Sequence, residues 1–151
     1  MARFRYSLQN ILDIKLKIET QAKQEFSTAK NRLDEENEKL DELYRRKTDY
    51  EEEAKLLLMG TLRVKDIEDN KNALLRMDEY ILQQQGQVAL AEKKLNTARE
   101  KLTEVVKERK TYEILREKAF EEFLQDENKQ ESKAVDELTS YTYGQKRQVK
   151  S

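Results

Sequence analysis

The stretch that decides the fold is residues 67–123, IEDNKNALLRMDEYILQQQGQVALAEKKLNTAREKLTEVVKERKTYEILREKAFEEF. Within it Ile67, Asn70, Leu74, Met77, Ile81, Gln84, Val88, Ala91, Leu95, Ala98, Leu102, Val105, Arg109, Tyr112, Arg116, Ala119 and Phe123 succeed one another in unbroken steps of three and four. Apart from Asn70, Gln84, Arg109 and Arg116, every one of them is apolar or aromatic. Two apolar positions per seven residues, sustained over about eight heptads with charged flanks, specify a coiled-coil helix. Gly86 lies between seam positions and costs about 1 kcal/mol of helix propensity without requiring a break.

Upstream, a second stripe runs through Leu8, Ile11, Ile18, Ala22, Phe26, Ala29, Leu33, Leu40, Leu43, Tyr50, Ala54 and Leu57. Its strict alternation puts Lys15, Glu36 and Lys47 on core positions, which costs stability but can set register. Ile18 to Ala29 spans eleven residues, a spacing expected to unwind a left-handed supercoil locally. Ser7 is the expected N-cap, with Tyr6 and Ile11 placed as a hydrophobic staple. Gly60 follows the last periodic residues and suits the left-handed conformation that ends a helix. Asp66, Glu68 and Asp69 then stand where a helix N-terminus favours acids. The second helix is therefore expected to be established by residue 66, starting as early as Leu62.

The expected architecture is all-α: a long antiparallel two-helix coiled-coil hairpin with a C-terminal helical overhang. Helix 1 covers about 7–58, a turn about 59–65, helix 2 about 66–140, and a disordered basic tail 141–151 completes a single domain. Folding back pairs positions whose numbers sum to about 120, so the first helix is used up near residue 113. Residues 115–140 would then lack an intramolecular partner, although they carry Leu115, Ala119, Phe120, Phe123, Leu124, Val135 and Leu138. Charge marks the same end. Arg3, Arg5, Lys15 and Lys17 outweigh Asp13 in residues 1–17, whereas 121–137 hold seven acids against Lys129 and Lys133.

Composition fits a rod and excludes most chemistry. Of 151 residues 40% are charged and 36% hydrophobic, with no Pro, Cys, His or Trp and a formal net charge of -1. That is too little apolar surface for a round core, while the near-zero net charge and regular apolar spacing argue against disorder. Without His or Cys there is no imidazole base, thiolate nucleophile or side-chain nitrogen or sulfur metal ligand. A two-helix rod also lacks a deep pocket to shift carboxylate pKa values. Neither an enzyme nor a cofactor is expected. The scattered cations of the tail make no nucleic-acid footprint, and no apolar run resembles a signal peptide or a membrane-spanning helix.

The opening Phe4-Arg5-Tyr6-Ser7-Leu8-Gln9-Asn10-Ile11-Leu12-Asp13-Ile14-Lys15 and the following Glu19-Thr20-Gln21-Ala22-Lys23-Gln24-Glu25 resemble the flagellar export protein family FliJ. Glu108–Lys118 and Asp136–Tyr141 extend the resemblance to about residue 143. It implies a component of the flagellar type III protein export apparatus, cytoplasmic and peripheral at the base of that apparatus. Its paired termini would enter the hexameric export ATPase ring, like the central stalk of a rotary ATPase. A surface nearer the hairpin tip would contact the export-gate cytoplasmic domain and export chaperones. The residues implied at the tip-proximal surface are Leu43, Tyr50, Met77 and Tyr80; those at the ring end are Phe4, Tyr6, Leu115, Phe120, Phe123 and Leu124. The alternative from a different class is a homodimeric scaffolding coiled coil in which each chain is one long helix, with the Gly60 region as the discriminator.

Overall fold

The computed structural model describes residues 3–61 and 63–150, the last five by backbone only. Two helices account for nearly all of it: α1 (Gln9–Met59) and α2 (Val64–Lys150), and no strand occurs among the described residues. The chain reverses between them. Asn70 reaches Tyr50, Gln84 reaches Glu36 and Lys101 reaches Glu25, pairs whose sequence separations widen from 20 to 48 to 76 as an antiparallel hairpin requires. One uninterrupted helix per chain is therefore excluded.

The helix ends differ in detail from the sequence reading. α1 begins at Gln9; the Gln9 N–H donates to the Tyr6 carbonyl at 3.1 Å and the Leu12 N–H to the Leu8 carbonyl at 3.0 Å, so the ladder starts from Leu8 and Ser7 lies in the preceding turn. Gly60 does not adopt a left-handed conformation: no described glycine has positive φ. A Cβ there would meet only the Leu56 carbonyl oxygen, at 3.9 Å. Its contribution to ending α1 is low helix propensity, not a special dihedral. α2 starts at Val64, with the Ile67 N–H donating to the Arg63 carbonyl at 3.2 Å and Asp66 in the first turn; Leu62 lies outside the described residues. At the far end the expected disordered tail is helical through Lys150. The segment contains no proline, Gly144 alone costs only about 1 kcal/mol, and Gln145 Nε2 donates to the Tyr141 hydroxyl one turn back at 2.7 Å. Ser151 lies outside the described residues.

The core is the seam between the helices, and on α1 it is more regular than the sequence reading allowed. Its positions, each buried or half-buried, are Leu8, Leu12, Lys15, Glu19, Ala22, Phe26, Ala29, Leu33, Glu36, Leu40, Leu43, Lys47, Tyr50, Ala54 and Leu57, with Gln9, Ile18 and Glu25 half-buried on its flanks. They alternate by four and three without interruption, so the eleven-residue irregularity disappears. Leu12 (3% exposed) and Glu19 (6%) occupy core positions, while Ile11 faces outward and Ile18 is only half-buried. Choosing the more apolar of two adjacent residues picked the wrong one at both places. On α2 every seam position from Ile67 to Phe123 is buried or half-buried except Arg116.

The chain forms two compact units. One joins the chain up to Ile18 with α2 from Val105 onward; the other is Glu19–Glu104, containing the hairpin turn. The expected start of the overhang is also corrected in the first unit. Phe4 packs on Phe120 and Phe123, so intramolecular pairing continues past residue 115. Tyr6 reaches Tyr112 while Phe4, two residues earlier, reaches Phe120 and Phe123, because non-helical chain advances up to about 3.3 Å per residue against 1.5 Å for a helix. Exposure becomes continuous only from residue 128 to 145.

Candidate functional site

The terminal unit is built around an aromatic clamp. The Phe4 ring stands edge-on to Phe120 at 5.1 Å between centroids and 74° between planes, and lies 5.5 Å from Phe123. Edge contacts of this kind place the positive ring edge against a negative face. Two residues nearer α1, the Tyr6 hydroxyl donates to the Tyr112 carbonyl at 3.2 Å. Lys15 Nζ makes a 2.8 Å ion pair with Glu108 and lies 5.9 Å from the centre of the Tyr112 ring. The hydrogen bond to Glu108 raises the Lys15 pKa, against partial desolvation. Arg3 and Arg5 line one shallow groove with Glu122 and Asp126.

Around this clamp the apolar surface is not covered. Leu115 (41% exposed), Phe120 (43%) and Leu124 (44%) face solvent on α2. On α1 the flank residues Ile11 and Ile14 are exposed, and half-buried Ile18 continues their three-four spacing. The segment therefore carries two apolar stripes, one against α2 and one facing outward. On another side, Leu16 and Phe120 join Phe4, Leu12 and the Glu113, Arg116 and Glu117 side chains around a second groove. Of the residues implied at the ring end, Phe4, Phe120 and Phe123 form one cluster and Tyr6 is tied to Tyr112, whereas Leu115 and Leu124 are outward-facing neighbours.

The distal unit is fastened by polar groups within its seam. Glu36 is 3% exposed. Gln84 Nε2 donates to its carbonyl at 2.9 Å and to its carboxylate at 2.6 Å, while Arg32 and Lys39 approach the other carboxylate oxygen at 3.0 and 3.7 Å. The Gln84 hydrogen bond first, then the two cations, hold the Glu36 carboxyl below its ordinary range despite burial. Asn70 Nδ2 donates to the Tyr50 carbonyl at 3.0 Å. Lys47 pairs with Asp78 at 2.9 Å, which raises its pKa. No buried side-chain nitrogen or oxygen lacks a partner among the described residues.

Of the residues implied nearer the tip, Leu43 and Tyr80 meet in a shallow groove together with Glu35, Glu38, Lys39, Glu42, Gln83 and Gln87. Tyr80 is 45% exposed and is the accessible member. Met77 is buried at 3% and Tyr50 is a half-buried seam residue whose carbonyl is taken by Asn70. The polar pairing was open to sequence arithmetic: Glu36 with Gln84 and Tyr50 with Asn70 each sum to 120. Phe4 was not, since its reach depends on the chain leaving the helix.

Among the described residues no helix is long and apolar enough to cross a membrane, and no group of three His, Cys, Asp or Glu is disposed to hold a metal. No curated protein matches the chain. Among solved structures, CT670 from Chlamydia trachomatis, described as a candidate YscO homolog, is similar with a TM-score of 0.74 at 24% identity, covering 97% of this chain and 99% of its own; at that identity the likeness concerns the fold. The flagellar FliJ protein family matches residues 4–148, which is nearly the whole sequence, so the chain belongs to the FliJ family.

Proposed function

We propose that this FliJ-family component of the type III export apparatus acts without chemistry of its own, as a stalk. Its terminal unit engages the pore of the hexameric export ATPase and promotes assembly of the ring. The groove holding Leu43 and Tyr80 receives the export-gate cytoplasmic domain and export chaperones. The chain acts in the cytoplasm, peripheral to the base of the apparatus. The observation that carries the ring-end reading is the exposed aliphatic and aromatic surface around the Phe4–Phe120–Phe123 clamp. Apolar side chains held on a fixed support and left in solvent are what a partner surface uses.

Leu115 and Leu124 face outward beside the clamp and can be replaced without removing one of its rings. Stimulation of the cognate ATPase by the full-length chain should fall at least tenfold for Leu115→Asp with Leu124→Asp, a loss of about 1.4 kcal/mol in apparent affinity, while circular dichroism shows the hairpin intact. Tyr80→Ala should leave that stimulation unchanged and weaken binding to the gate domain. Full stimulation by the double variant would remove the ring-end assignment.

A further inference from the structure

We infer that the hairpin turn of the Glu19–Glu104 unit docks on an anionic lipid surface, seating its aliphatic side chains at the boundary between headgroups and acyl chains. Leu56, Leu57, Leu58 and Met59 form an unbroken apolar run at the end of α1. A helix turns only one such residue in three or four squarely toward its partner, and here it is Leu57, which is half-buried. Leu56, Leu58 and Met59 project outward, Val64 joins them where α2 begins, and the four are 69–85% exposed. All of them stand within four residues of Gly60. They are surplus to the seam, and such exposure gains its value against a surface that removes them from water.

Charge identifies that surface. Residues 54–65 hold Lys55, Arg63 and Lys65 and no acid. All three cations are exposed, and no ion pair engages them among the described residues, whereas Lys15 and Lys47 are held by Glu108 and Asp78. On α1 the acids stand farther back, Glu51, Glu52 and Glu53 lying about 9–12 Å from Met59 at 1.5 Å per residue. On α2 Asp66, Glu68 and Asp69 follow Lys65. An anionic plane therefore attracts the turn and repels the flanks behind it, which limits contact to the tip. Convexity selects lipid over an acidic protein. Aliphatic chains that project from a reversal need a matching cavity in a folded partner, whereas a fluid bilayer closes around them. Interfacial anchoring combines such apolar burial with attraction of cations to acidic headgroups. The long stems of Lys55 and Lys65 let their charges stay at headgroup level while the leucines sit deeper. At that depth water still reaches the last carbonyls of α1 and the first N–H groups of α2, which acyl chains could not satisfy.

The inference rests on the turn itself and not on the ATPase or gate assignments. Few apolar groups and three cations make a weak, reversible attachment, so the test is flotation of the full-length chain with vesicles at low ionic strength. Phosphatidylcholine vesicles containing phosphatidylglycerol should carry at least about tenfold more of the chain than phosphatidylcholine alone, and added salt should release it. Leu58→Ser with Met59→Ser, and separately Arg63→Gln with Lys65→Gln, should each weaken this binding at least about tenfold with unchanged helix content by circular dichroism. Lys146→Gln with Arg147→Gln should bind like the unaltered chain. Vesicle binding that survives the Leu58 and Met59 changes would reduce the contact to adsorption by charge and overturn the inference. So would binding that is lost with the Lys146 and Arg147 changes. A chain that floats with neither vesicle overturns it as well; if the tip variants then weaken binding to the export-gate cytoplasmic domain, a protein covers the turn.

Discussion

In the Glu19–Glu104 unit the seam carries its polar residues in satisfied pairs, Glu36 with Gln84 and Asn70 with the Tyr50 carbonyl. In the terminal unit the corresponding fastening is an aromatic clamp on a non-helical segment, surrounded by uncovered Ile11, Ile14, Leu115, Phe120 and Leu124. Buried hydrogen-bonded groups discriminate against slipped registers because a slip leaves them unpaired. Exposed apolar groups contribute little to the isolated fold and gain their value when a partner excludes water. Both units expose apolar side chains, Leu56, Leu58 and Leu82 among them in Glu19–Glu104, but only the terminal unit gathers them around an aromatic clamp in place of buried polar pairs.

The comparison breaks most visibly at Met77, buried at the middle of the distal seam. Met77→Ala should lower unfolding free energy by about 2–3 kcal/mol, the low end for such truncations because two helices can partly close the void; urea denaturation reads it. Phe4→Ala should have a smaller and more local effect. Two ring contacts of about 0.5–1.5 kcal/mol each are lost, so hydrogen exchange should quicken around residues 112–123 by about 1–2 kcal/mol of opening free energy and stay unchanged in 19–104. If Phe4→Ala loosened both units equally, the division drawn here would fail.

How much of this could be read from the chain depends on where the periodicity is unambiguous. The Ile67–Phe123 seam and the core placement of Lys15, Glu36 and Lys47 follow from three-four counting alone, whereas the reversal near residue 60 was read from Gly60, through a left-handed conformation that it does not adopt. Counting lost its grip where two adjacent residues competed. Ile11 against Leu12 and Ile18 against Glu19 are decided by where the partner helix lies, which overrides hydrophobicity enough to bury a glutamate. The Phe4 clamp was invisible for a different reason: residues 3–8 are not helical, and a helical ruler cannot measure them. Leu43 and Tyr80 came from family resemblance, and their shared groove is a property of the packed pair that neither helix shows by itself.

Gly86 offers a finer test. A Cβ there meets nothing within 4 Å, so Gly86→Ala should stabilise the distal unit by about 0.5–1 kcal/mol in thermal or urea unfolding, the helix-propensity difference. An unchanged or lower stability would mean that α2 strains at this point. The smallest effect is the pH dependence of the Glu36 pair. The folded-state pKa lies below the ordinary value of 4.5, so the stabilisation is fully present above that value and is lost as pH falls through the folded pKa. Glu36→Gln should flatten that acid limb of the stability profile without altering the profile near neutrality.

The central claim is that binding of the export ATPase belongs to the terminal unit. Its most direct test is hydrogen exchange of the full-length chain with and without the cognate hexameric ATPase. Protection appearing in residues 3–18 and 105–127, with 19–104 unaffected, is the expected result. Protection confined to 19–104 would contradict it.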